Sequence, residues 1–107
     1  MKKIECEQLE YVIFIAGDYA RAVQLCEEFC LRGFCVTCDP TKYIYTMGQE
    51  DGVRIGIINY ARFPRSADEL EACAFDLADN LLIGLNQGSY TVMGGGKSTF
   101  VSRRDED

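Results

Sequence analysis

Ser66-Ala67-Asp68-Glu69 is a capping box, and it fixes where one helix of this chain must begin. Ser66 can accept from the backbone N–H of Glu69, and the Glu69 carboxylate can reach back to the N–H of Ser66. Leu70, Cys73, Ala74, Leu77 and Leu81 then recur along one side of the helix. A helix that is apolar on one side only must bury that side, so the rest of the chain has to supply a second layer.

The remaining segments provide it. Tyr11 to Ile15 is β-branched and aromatic and reads as a strand with apolar residues on both faces. Asp18 is a good N-cap for a helix whose stripe is Ala22, Leu25, Cys26 and Phe29, and Gly33 can end it in the left-handed conformation. Phe34 to Cys38 reads as a second strand, Asp39-Pro40-Thr41-Lys42 as a turn, and Tyr43 to Met47 as a third strand. Gly48-Gln49-Glu50-Asp51-Gly52 reads as a hairpin loop before a fourth strand, Val53 to Tyr60. After the capped helix, ended by Gly84 or Gly88, Ser89 to Met93 and Ser98 to Arg103 form a closing hairpin around Gly94-Gly95-Gly96-Lys97. The predicted architecture is α+β: a two-layer sandwich with two helices on one face of a mostly antiparallel sheet. Its topology is ferredoxin-like βαββαβ with an extra strand or hairpin. A length of 107 residues makes 1–107 a single domain, with a short charged tail at 103–107.

Composition narrows the setting. The longest wholly apolar run is Val12 to Ala16, far short of the roughly 20 residues of a spanning helix. Glu5, Glu7 and Glu10 interrupt the start where a signal peptide would be apolar, so the expected location is the cytoplasm. Six cysteines without an export signal are expected to be reduced thiols. The net charge of −6 opposes nucleic acid or an anionic membrane as a direct ligand.

Few motifs carry chemistry. Gly94-Gly95-Gly96-Lys97-Ser98-Thr99 resembles the end of a phosphate-binding loop, but Thr91 stands where the first glycine is needed, and no helix follows the lysine. Cys26, Cys30, Cys35 and Cys38 have enough thiols for a tetrahedral zinc. However, Cys26 belongs to a helical apolar stripe, and Cys35 and Cys38 should point to opposite faces of a strand. No metal and no cofactor are therefore expected. The sequence has no histidine for a Ser–His or Cys–His pair, and its adjacent carboxylates do not face one another on a helix, so a non-enzymatic protein is expected.

Two features point to binding. No lysine or arginine occurs from Ser66 through Gly96, a stretch that carries Asp68, Glu69, Glu71, Asp76 and Asp79. Such a face can steer the domain onto a basic protein surface. Tyr11, Tyr43, Tyr45, Tyr60 and Tyr90 all fall on candidate strands. If they line the uncovered face of the sheet, Tyr43, Tyr45 and Tyr60 offer a homodimer or partner contact. In size, acidity and lack of catalytic pairs, the chain resembles in type the small inhibitor proteins that phages carry against host defences, including anti-CRISPR proteins. That resemblance implies a non-enzymatic inhibitor of a basic, nucleic-acid-handling protein, with the five acids supplying the field. One alternative is a dimeric metabolite-binding module similar to ACT domains, with Ala16-Gly17-Asp18 receiving a polar ligand. Another is an immunity protein for a nuclease toxin.

Overall fold

The computed structural model describes residues 1–104. The charged tail expected at 103–107 therefore lies, for its last three positions, outside the described residues. The elements run β1 (Glu10–Ala16), α1 (Tyr19–Cys30), β2 (Thr37–Tyr45), β3 (Gly48–Ile58), α2 (Ala67–Gly84), β4 (Ser89–Gly94) and β5 (Lys97–Ser102). The strands form one sheet in the order β2-β3-β1-β4-β5, and every neighbouring pair is antiparallel. The first four strands have the ferredoxin-like arrangement, and β5 adds the extra strand at the β4 edge.

Both helices begin where their caps require. The Asp18 carboxylate accepts from the Arg21 N–H at 2.9 Å. Ser66 Oγ accepts from the Glu69 N–H at 3.1 Å, and Glu69 Oε1 accepts from the Ser66 N–H at 3.2 Å. The bond from the Ser66 N–H, with the Ser66 hydroxyl as the second contributor, holds the Glu69 carboxyl below its ordinary range. The apolar stripes of both helices pack on Ile13, Ile15, Val53, Ile55 and Ile57 to form one core. Among the described residues, no helix is long and apolar enough to cross a membrane.

Three local readings need correction. The segment read as strand, turn and strand is one strand, β2, which carries Pro40 opposite Val53. β2 lies at the sheet edge, where a residue without an N–H can face away from the ladder, so the proline interrupts nothing. The hairpin turn is Thr46-Met47, and Gly48 to Gly52 are strand. Met47 takes φ 74° itself, so the turn carries no glycine to mark it. Tyr60 lies beyond the end of β3.

Register decides which tyrosines face the helices. Tyr11 stands opposite Ile57, and Tyr90 lies in the same strand phase as Val92; both are buried on the helix side. Tyr43 and Tyr45 lie on the other side, in the same strand phase as Arg54 and Gly56 through their partners Glu50 and Gly48. That uncovered side carries Val12, Phe14 and Met93 on β1 and β4 and Phe100 on the edge strand β5. β1 ends at Ala16 opposite Gly52, whereas the β2–β3 pair continues to Tyr45 and Gly48. The hairpin therefore projects beyond the sheet as a two-stranded arm.

Candidate functional site

The base of this arm forms one side of a cleft of about 330 Å³. Phe14 on β1 faces it, with Thr91 on β4 and Phe100 on β5 continuing the same row across the sheet. Tyr43 and Glu50, paired across the arm, form one wall. The α2–β4 connection supplies Gln87 and Gly88, β4 begins with Ser89, and Arg104 closes the C-terminal side.

Tight local packing holds these walls. The Tyr43 ring lies over Gly52, where an added Cβ would collide with it and would stand 2.6 Å from the Ile15 carbonyl oxygen. The Tyr43 hydroxyl donates to the Val53 carbonyl at 2.6 Å. Burial raises the Tyr43 hydroxyl pKa, so it remains a neutral donor at physiological pH. The Arg104 side chain lies against Gly88, where a Cβ would come within 2.8 Å of its Nε, and its Nη2 is 3.4 Å from Ser89 Oγ. The Arg103 N–H donates to the Gly88 carbonyl at 2.9 Å, fixing the C-terminal segment to the loop. The cleft thus combines two phenylalanine faces with one carboxylate, one guanidinium and several hydroxyl and amide groups. The lining is more polar than apolar, and its concavity, aromatic faces and convergent polar groups suit a small polar ligand.

At the opposite end of the sheet, the β3–α2 connection brings Tyr60 and Glu69 into one neighbourhood. The Asn59 amide donates to the Glu7 carbonyl at 2.9 Å, and its oxygen accepts from the Arg65 N–H at 2.8 Å. The Arg65 guanidinium sits 4.2 Å from the Phe34 ring centroid, donates to the Gly33 carbonyl at 3.0 Å and pairs with Glu69 at 3.8 Å. Tyr60 and Phe63 rings are 5.4 Å apart, and a hydrogen bond with Cys35, followed by burial, raises the Tyr60 hydroxyl pKa. The cavity here is about 10 Å³, room for no more than a water.

Four of the five acidic residues of α2 have partners that their own helix does not show. Arg65 pairs with Glu69, Arg32 with Asp76 at 3.8 Å, and Lys97 with Glu71 at 3.7 Å. Asp79 accepts from the Tyr90 hydroxyl at 2.6 Å, which, with burial as the larger cause, pushes the Tyr90 pKa strongly upward. Asp68 is exposed, and its charge adds to burial and Glu71 in raising the Tyr11 pKa. Tyr43 lies in the arm-base cleft, and Tyr45 is exposed further out on the arm. Glu50, Phe14, Ser89, Phe100 and Arg104 carry no local sequence signal; only sheet order and register bring them together. Cys26, Cys30, Cys35 and Cys38 line a separate apolar cleft. Among the described residues, no three thiol or carboxylate groups converge as a metal site.

No protein-family model and no curated protein matches the chain. Two solved structures share its fold along nearly the whole length. One is a phage SAM lyase in complex with S-methyl-5′-thioadenosine, 13% identical, covering 95% of each chain with a TM-score of 0.65. The other is a phage SAM lyase in the apo state, 14% identical, covering 97% of this chain and 96% of that one with a TM-score of 0.68. At such identity the likeness is one of fold. It nevertheless overturns the expectation of a non-enzymatic inhibitor similar to anti-CRISPR proteins, because the structures that share the architecture are those of an enzyme. The partners found for the α2 carboxylates weaken the same expectation, since cations from other elements already stand beside three of them.

Proposed function

We propose that this chain is a lyase acting on S-adenosylmethionine, and that the arm-base cleft holds the substrate. The observation that carries this reading is the shared fold over 95% of both chains with a SAM lyase bound to S-methyl-5′-thioadenosine. That thioether is what remains of S-adenosylmethionine when the bond between its sulfonium sulfur and the aminobutyrate Cγ breaks.

The cleft has the chemistry such a substrate needs. Phe14 and Phe100 offer apolar faces for adenine, and the cleft volume lies within the small-ligand range of roughly 300–1,000 Å³. Glu50 supplies negative charge for a substrate that carries both a sulfonium and an α-ammonium. Arg104 is placed for the substrate carboxylate, in the planar pairing that guanidinium favours.

Cleavage needs no protein nucleophile. The substrate carboxylate oxygen bonds to Cγ, the Cγ–S electron pair departs with sulfur, and a lactone and a neutral thioether result. Opposite charges disappear as the bonds exchange, so any displacement of water by substrate seated against Phe14 and Phe100 favours the transition state over the solvated zwitterion. The residues then act by folding the aminobutyrate chain so that carboxylate and Cγ meet, which is catalysis by positioning.

The test is incubation with S-adenosylmethionine and chromatographic measurement of S-methyl-5′-thioadenosine. Glu50→Gln and Phe100→Ala are each expected to lower the rate by roughly tenfold or more. No thioether product, together with no thermal stabilisation by S-methyl-5′-thioadenosine, would refute the activity. Product formation unaffected by both substitutions would refute the cleft as its site.

A further inference from the structure

Cys38 sits on β2 opposite Ile55, so its side chain faces the helices. Cys26 lies in the buried stripe of α1. Both line a cleft of about 310 Å³ whose other walls include Val23, Phe34 and Val36. Cys38 is half-buried within this open cleft, so a small solute reaches it, whereas Cys26 lies at 5% exposure behind it. We propose that Cys38 and Cys26 form a peroxide-responsive pair that closes a disulfide between the edge strand β2 and α1.

The environments assign the two roles. Burial raises both thiols, Cys26 up to about 12. The contact between them acts in opposite directions: it keeps the proton on Cys26 and favours the thiolate of Cys38. Cys38 is the sulfur that an oxidant meets first because it is the more accessible of the two, and its thiolate fraction is the reactive form. The Cys38 thiolate attacks one peroxide oxygen, the O–O bond breaks, and Cys38 sulfenic acid and hydroxide form. The Cys26 sulfur then attacks the sulfenic sulfur. Its proton leaves with the departing hydroxyl as water, and the S–S bond is made. Two thiols are oxidised and one peroxide is reduced to two waters. The bridge fixes β2, the strand that also carries Tyr43, to α1.

The experiment treats the full chain with hydrogen peroxide, blocks remaining thiols by alkylation and digests with trypsin. Cleavage after Arg21, Arg32 and Lys42 separates a peptide carrying Cys26 and Cys30 from one carrying Cys35 and Cys38. The expected product is a cross-link between these peptides that fragmentation assigns to Cys26–Cys38, with loss of two hydrogen atoms from the intact mass. Cys38→Ser should abolish it. Cys26→Ala should leave a sulfenic acid on Cys38 that dimedone captures. A cross-link assigned to Cys30–Cys35, or six alkylated thiols after peroxide, would overturn the proposal using the unsubstituted protein alone.

Discussion

Gly52 is where the arm meets the body of the sheet, and replacing it tests the cleft wall directly. The residue is buried, and its backbone conformation is one any amino acid adopts, so Gly52→Ala probes space alone. The added methyl meets the Tyr43 ring, the Ile15 carbonyl oxygen at 2.6 Å and the Ala16 Cα at 2.9 Å. Two of those contacts are backbone in the central strand and cannot turn away, so the ring must leave and β3 must shift. Overpacking of this kind costs about 1–3 kcal/mol. Loss of the Tyr43 hydrogen bond to the Val53 carbonyl adds about 0.5–1.5 kcal/mol. A combined loss of about 2–4 kcal/mol should lower Tm by roughly 10–20 °C in a domain near this size. Thermal denaturation with and without S-methyl-5′-thioadenosine reads stability and the cleft together, and the variant should lose the ligand-induced shift. In a Tyr43→Ala background the same substitution should cost about 1 kcal/mol less, yet still cost something, because the backbone contacts remain. A Gly52→Ala protein within about 0.5 kcal/mol of the parent would show that Tyr43 does not lie across β3, and the cleft as described would fall.

Further outcomes follow from other parts of the fold. Tyr90, Cys26 and Cys73 all have pKa values raised in the folded state, Cys26 to about 12 and Cys73 to about 11. The unfolded chain therefore loses these protons first as pH rises, so stability is full below pH 9 and should fall from there to pH 12 in urea titrations. Tyr90→Phe should make that decline shallower. Ser66→Ala removes half of the capping box and should cost about 1 kcal/mol by urea denaturation. Asn59→Ala removes the bond to the Glu7 carbonyl and the acceptor for the Arg65 N–H; it should cost about 1–3 kcal/mol and speed hydrogen exchange in residues 59–65 and the N-terminal segment.

The two layers and both helix starts were legible because their determinants are local. Asp18 and Ser66 cap within one turn, and the apolar stripes repeat at a period that only a helix satisfies. Pro40 misled because its meaning depends on whether the strand lies at an edge, a fact set by the whole sheet order. Met47 hid the arm because a turn without glycine leaves no mark. The five acids of α2 were legible as a group, yet Arg32 and Lys97, which stand beside two of them, come from α1's end and β5. The cleft was beyond local reading altogether: Phe14, Tyr43, Glu50, Ser89, Phe100 and Arg104 meet only after the strands take their order.

Pro40 also bears on how molecules of this protein meet in concentrated solution. With no amide hydrogen to offer, the outer margin of β2 lacks one rung at mid-length, and a foreign strand cannot template along it without a gap. Growth of ordered aggregates by lateral strand addition is thereby disfavoured at that margin and left to the opposite one, formed by β5. Replacing the proline with a β-branched residue would complete the row and give polymerisation a second place to start.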